Sequence, residues 1–182
     1  MRKSHFSLTA KKFAFLIAIV ALLFNNVCGA NDNFNAFFAR GEEAIQAGDF
    51  RTAVSEYTKA IKINPNNAGA YVGRGGAYYK LGDYNKAIAD LTKAIKIDPN
   101  NAKAYAIRGG AYGALDDYNK AIADCTKAIK IDPKYRDAYA IRGSAYALSG
   151  DLNKASKDAR KACELGTCEL LNFMREKNLL RD

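Results

Sequence analysis

Tyr71-Val72-Gly73-Arg74-Gly75-Gly76-Ala77-Tyr78 recurs as Tyr105-Ala106-Ile107-Arg108-Gly109-Gly110-Ala111-Tyr112 and again as Tyr139-Ala140-Ile141-Arg142-Gly143-Ser144-Ala145-Tyr146. The interval from 71 to 105 is repeated from 105 to 139. A second stretch, Asp83-Tyr84-Asn85-Lys86-Ala87-Ile88-Ala89-Asp90, returns at the same interval as Asp117-Tyr118-Asn119-Lys120-Ala121-Ile122-Ala123-Asp124. A fixed period of this size means that one small structural unit is stacked on copies of itself, so it is read before any single motif. Counting outward gives blocks at 34–67, 68–101, 102–135 and 136–169, with 31–33 as a short leader.

Each block reads as two helices. The first runs from its aromatic to a turn at Gly48-Asp49, Gly82-Asp83, Asp116-Asp117 or Gly150-Asp151. Glycine takes the left-handed conformation that ends a helix, and the Asp after it caps the next one by accepting a backbone N–H bond. The second helix stops before Pro65, Pro99 or Pro133, because proline cannot continue it. Within that helix, Ala53, Tyr57 and Ala60 stand at i, i+4, i+7, as do Ala87, Leu91, Ala94 and Ala121, Cys125, Ala128. That spacing draws one apolar stripe along each helix.

The period and these residues resemble the tetratricopeptide repeat family. Its pattern asks for an aromatic, a small residue for close helix contact, a Tyr, two alanines and a closing Pro. Here the aromatics are Phe37, Tyr71, Tyr105 and Tyr139, and the small residues are Gly41, Gly75, Gly109 and Gly143. The alanine pairs are Ala53/Ala60, Ala87/Ala94, Ala121/Ala128 and Ala155/Ala162. The last block departs from the pattern, with Thr167 in place of Pro. The resemblance implies an all-α fold, a right-handed α-solenoid of four helix-turn-helix repeats. Residues 170–182 are expected to form a capping helix over the open end of the stack.

One departure recurs in every block. Arg40, Arg74, Arg108 and Arg142 stand where the family often has Leu. Each is followed, at one constant spacing, by an acid: Glu56, Asp90, Asp124 and Asp158. Either the arginines form a ladder for an anion, or each is held by its acid between the paired helices. A partly buried guanidinium needs a partner, which favours the structural ion pair.

The ends of the chain carry separate signals. Arg2, Lys3, Lys11 and Lys12 precede an unbroken apolar run from Phe13 to Phe24, and the small residues Gly29 and Ala30 follow. An apolar helix of that length is about 18 Å, short of a ~30 Å hydrocarbon core. The order resembles a secretory signal peptide over residues 1–30, cut after Ala30 or Gly29. An uncleaved anchor and a lipid on Cys28 are the alternatives. Export to a bacterial periplasm is the expected localisation, with secretion or anchoring by the uncleaved signal as the other outcomes. No membrane span is expected once the signal is removed, and a monomer is expected.

Division of the charge removes one functional class from the front rank. The whole chain has 28 Lys plus Arg against 19 Asp plus Glu, a net of +9. Four of the bases lie in the signal, leaving 24 against 19, or +5. That is ordinary for such a length and does not by itself indicate nucleic acid. A basic module for anionic envelope polymers or nucleic acid stays open as the alternative, carried by helix-two lysines such as Lys93 and Lys127. Those lysines alternate with acids, as a solvated face does. Nucleic acid is not an expected partner.

Catalytic chemistry is not legible. The only histidine, His5, falls in the signal, and no glycine pair is followed by Lys-Ser/Thr as a phosphate loop requires. No enzyme activity, cofactor or metal is expected. Of the four cysteines, Cys28 leaves with the signal and Cys125 sits in an apolar stripe as a buried thiol. Cys163 and Cys168 flank the junction between the last repeat and the cap. In an oxidising compartment they form a disulfide that staples the cap; two free thiols or half of a metal site are the other readings.

The resemblance also implies a use. Such arrays hold a peptide or a partner's segment in a concave face lined by the first helices. The groove positions carried over include Phe38, Val72, Tyr79, Lys80, Lys103 and Ala106. Phe38, Val72 and Tyr79 are expected to give apolar contact, and the two lysines to favour an acidic partner. One subtype clamps the C-terminal carboxylate of heat-shock chaperones with Lys, Asn and Arg. The matching places here are Phe38, Glu42, Gly73, Lys103 and Ile107, of which only Lys103 fits, so that activity is not transferred. The expected function is an exported, non-enzymatic protein–protein interaction scaffold.

Overall fold

The structure is a computed structural model in which residues 32–180 are described. The predicted signal peptide, residues 1–30, lies outside the described residues. Helices alone make up the regular structure among them. They are α1 (32–46), α2 (Phe50–Ile63), α3 (Ala68–Lys80), α4 (Tyr84–Ile97), α5 (Ala102–Ala114), α6 (Tyr118–Ile131), α7 (Arg136–Leu148), α8 (Leu152–Glu164) and α9 (Glu169–Glu176). No strand occurs among the described residues.

Turn chemistry sets the breaks. Gly48, Gly82 and Gly150 take φ of +74°, +82° and +92°. Asp116 holds the equivalent place at φ +60° without the freedom glycine would give it. Asp49, Asp117 and Asp151 then cap α2, α6 and α8 by accepting the N–H three residues on. Asp83 makes no such bond and instead accepts from the Lys86 ammonium at 2.9 Å. Asn67 and Asn101 cap α3 and α5.

The alanine pairs do what their small size permits. Ala53, Ala60, Ala87, Ala94, Ala121, Ala128, Ala155 and Ala162 are all fully buried, so the second helix of each repeat lies close against the first. Between each pair, one position decides how the slot is filled: Tyr57, Leu91, Cys125 and Ala159 in successive repeats, all buried. The slots accept them because Gly41, Gly75 and Gly109 present no Cβ to the Tyr57 ring, Leu91 and the Cys125 sulfur. Gly73 likewise lies flat against Tyr57, where a Cβ would overlap the ring.

Backbone contacts separate two layers. From α3 onward the first helices touch one another (α3 with α5, α5 with α7, α7 with α9), whereas α2, α4, α6 and α8 do not. The first helices therefore form the inner, tighter row and the second helices the outer one. This is a solenoid whose concave side is built by α3, α5 and α7.

The cap differs in detail from the sequence-based expectation of a helix within residues 170–182. The helix begins one residue earlier, at Glu169, and ends at Glu176; Asn178 then turns the chain at φ +54°. Leu179 and Leu180 follow and pack against the C-terminal core beside Leu171 and Met174. α9 occupies the inner row, as the first helix of a further unit would. Its seat is the last slot. Ala159 is too small to fill it, and Leu170 reaches in from α9 to stand under Gly143.

Candidate functional site: the concave trough

The repeated arginines are committed to structure in three repeats. Arg74, Arg108 and Arg142 each donate Nε and a terminal nitrogen to Asp90, Asp124 and Asp158, at 2.7 Å and 2.8–2.9 Å. Two parallel bonds of this kind are the strong geometry for a guanidinium on a carboxylate. The hydrogen bond to the Asp is the main cause holding each of these guanidinium groups above its ordinary pKa. The remaining nitrogen donates to a hydroxyl on the preceding repeat: Thr58 at 3.0 Å, Thr92 at 3.0 Å and Thr126 at 3.1 Å. Tyr71 and Tyr78 flank Arg74, and the corresponding tyrosines flank Arg108. Each arginine thus joins two outer helices across one inner helix, with all three of its nitrogens engaged and its charge matched by a carboxylate. That arrangement favours the structural pair over the anion ladder.

The first repeat is different. Arg40 is 57% exposed and lies 3.8 Å from Glu56, too far for a hydrogen bond. Glu56 is bonded instead to Lys59, and its second oxygen has no hydrogen-bond partner. The pairing read from the spacing is therefore loose at this end. Lys59 engages Glu56 here, and the guanidinium stays in solvent over the Phe37 ring.

The groove positions divide into two groups. Tyr79, Lys80, Lys103 and Ala106 come together on a groove of about 410 Å³ between α3, α5 and α7, completed by Tyr135 and Ile141. Val72 and Phe38 do not join them. Val72 is 5% exposed, packed with Leu91 and Ala104. It faces the next repeat instead of the open side, which corrects its reading as a contact residue. Ala106, 1% exposed, contributes floor and little surface. Phe38, in the first repeat, packs edge-on to Tyr57 at 5.6 Å and against Gly69 of the second.

Electrostatics mark this middle section. Lys80 and Lys103 are exposed, and neither has an ion pair among the described residues. By contrast Lys86, Lys120 and Lys154, at the turns, are each paired with the Asp that opens their helix. Outer-row lysines such as Lys93 and Lys127 also lack an ion pair among the described residues, but they do not border the trough. The one acid beside Lys80 and Lys103, Asp137, leans toward Arg136 at 3.6 Å. Burial pushes the Tyr135 hydroxyl up to about 12 and raises Tyr79 as well, so both are neutral donors at physiological pH.

A larger, more apolar section of about 610 Å³ continues from the first, sharing Tyr79, Ala140 and Ile141 with it. Its floor is small residues such as Gly110 and Ala147, and its far wall is Leu148, Leu170 and Phe173. Leu148 is 65% exposed and Phe173 50%. Sequence reasoning placed no groove residue on α9. The signal that could have found Phe173 is the excess of apolar residues in a short cap, Leu170, Leu171, Phe173 and Met174, more than one face can bury.

Cys163 and Cys168 are joined by a disulfide with Cα atoms 4.1 Å apart, fixing the start of α9 to the end of α8. Cys125 is a buried free thiol, and burial pushes it up to about 12, so it is inert as a nucleophile. Among the described residues no group of three or more His, Cys, Asp or Glu is placed to hold a metal. No described helix is long and apolar enough to cross a membrane.

The places that would match a carboxylate clamp are occupied otherwise. Glu42 accepts from the Tyr57 hydroxyl, Gly73 covers the same ring and Ile107 packs against the core around Leu91. Only Lys103 offers a clamp residue facing the groove.

Comparison with known proteins agrees with this architecture. Tetratricopeptide repeat family models match residues 38–102, 102–135 and 137–165. The Arabidopsis OM64 TPR domain is 32% identical, with a TM-score of 0.62, covering 66% of this chain and 97% of that one. The crystal structure of a MamA protein is 29% identical, with a TM-score of 0.68 and coverage of 82% and 80%. The first TPR of Spaghetti (RPAP3), bound to an HSP90 peptide, is 32% identical, with a TM-score of 0.58 and coverage of 61% and 90%. No curated protein matches the chain significantly. The constant period, the paired helices, the alanine-packed slots and these likenesses together establish that the chain belongs to the tetratricopeptide repeat family.

Proposed function

We propose that this protein is an exported, non-enzymatic interaction scaffold that holds a peptide or a partner's segment in its concave trough. The observation that carries the reading is the juxtaposition of two unpaired lysines, Lys80 and Lys103, on the rim of an apolar groove. An open trough of small residues with cations at its edge suits a segment that is apolar on one side and acidic on the other. That a similar solved domain carries a bound peptide supports the same use here. The divergent clamp positions argue for a different ligand from that domain's.

Export is proposed from the order of basic, apolar and small residues over 1–30. A disulfide at the cap is in keeping with an oxidising compartment such as a periplasm. The protein works as a monomer, and nucleic acid is not its ligand.

The test is affinity capture with the exported protein and with a Tyr79→Ala, Lys80→Ala, Lys103→Ala variant, at low and high salt. Loss of the same partners from the variant is expected, with moderate salt dependence. Equal capture by both proteins would refute the trough. A steep fall between about 50 and 200 mM salt, with no effect of the variant, would favour the polyanion reading instead. The intact mass of the exported protein is expected to begin at or next to Asn31; a mass beginning at Met1 overturns cleavage.

A further inference from the structure

We propose that α9 is part of the binding surface as well as a cap, and that it makes the C-terminal end of the trough an anchor pocket. The occupant is an amphipathic helical segment of a partner. Its bulky apolar side chains enter the section lined by Leu148 and Phe173, and its acidic side chains reach Lys80 and Lys103. This rests on the trough reading above and assigns its two sections different work.

A terminal helix must bury the apolar face of the last repeat and turn polar residues outward. α9 meets the first demand with Leu171, 4% exposed, and Met174, fully buried, while Leu170 fills the slot that Ala159 leaves empty. Nothing in that packing uses Phe173. It stays half exposed and lines one apolar cavity with Leu148, which is more exposed still. A cap serving only to cover would not keep an aromatic on its open side beside a second exposed apolar residue. The cavity, about 610 Å³, is within the range of sites that enclose a ligand's apolar part.

The acidic half of the occupant follows from charge. The section holding Lys80 and Lys103 is continuous with the anchor section through Tyr79, Ala140 and Ile141. Neither lysine has an ion pair among the described residues. A segment lying along the trough therefore meets cations at one end and an apolar pocket at the other, which also fixes its direction. The Cys163–Cys168 bond holds the start of α9 beside the pocket wall formed by Thr167, Glu169 and Leu170.

The probe is a panel of fluorescein-labelled helical peptides on an Ala/Gln background. Each carries Phe and Leu one turn apart and two Glu placed about one, two or three turns from them. Fluorescence anisotropy is read on the wild type, on Leu148→Ser/Phe173→Ser and on Lys80→Ala/Lys103→Ala. Both variants alter exposed side chains, and circular dichroism confirms that each is folded. Expected is binding by at least one spacing and about a tenfold loss in each variant. Glu→Gln in the peptide should reproduce the lysine variant, and Phe→Ala the other. If the lysine variant loses binding and the Leu148/Phe173 variant does not, the anchor pocket is overturned while the trough reading stands. If no spacing binds, the anchor proposal fails, and the capture experiment above decides the trough reading separately.

Discussion

Arg108 and Arg40 are the same residue type at the same register, yet they should differ sharply when removed. Arg108→Ala leaves Asp124, 11% exposed at its side chain, without either of its guanidinium bonds and also frees Thr92. Stranding a largely buried carboxylate costs about 3 kcal/mol. Arg40→Ala removes a solvent-facing group from a loose contact and should cost under about 1 kcal/mol. Urea denaturation of the two variants checks this, and equal losses would show that the pairs do not hold the stack. The acid partners are legible in the sequence because opposite charges recur at one constant spacing. The threonines are equally periodic, at Thr58, Thr92 and Thr126, each as far before its arginine as the acid stands after it. They escape notice because a hydroxyl announces no charge and its bond crosses a repeat boundary. Val72 is misleading for another reason: a groove position carried over from the family does not say which neighbouring face this helix turns inward.

At the scale of helices, glycine is the residue whose meaning the sequence leaves open. Gly73 and Gly76 lie in one helix, α3, but face different surroundings. A Cβ on Gly73 would overlap the rigid ring of Tyr57, whereas one on Gly76 would meet only Ile107 at 3.8 Å. Gly73→Ala should therefore destabilise by about 1–3 kcal/mol through overpacking. Gly76→Ala should stabilise by up to about 1 kcal/mol through helix propensity. Thermal melts that moved in the same direction for both would contradict the packing described. The helices, turns and caps are readable from period, glycine and Asp. The seating of α9 is not, since it depends on the volume missing at Ala159 and on Leu170 finding it, a relation between residues in different units. For the same reason the apolar section of the trough is invisible until both sides are in place.

The whole molecule is nearly one-dimensional: from α2 to α9, each helix touches only helices one or two places along the chain. In such a stack a local defect is felt most by its neighbours. Met174→Ala, at a fully buried site on α9, should cost about 2–4 kcal/mol. Amide exchange should then rise most in α7 and α8 and least in α2 and α3. A uniform rise along the chain would mean that the repeats open as one block. The groove should lose its far wall in the same variant before the middle section is disturbed.

The arginine clamp has a consequence for how such a chain can lengthen. Arg108 reaching back to Thr92 and Arg142 reaching back to Thr126 make the same junction twice. A tandem copy of residues 102–135 would keep Arg108 on Thr92 and Arg142 on a Thr126, and its one new seam, Arg108 on Thr126, would repeat the same Arg–Thr junction. Growth by duplication would reuse the same clamp at each interior junction. Only the two ends are irreplaceable: the first repeat, with its unclamped Arg40, and the last, which α9 closes.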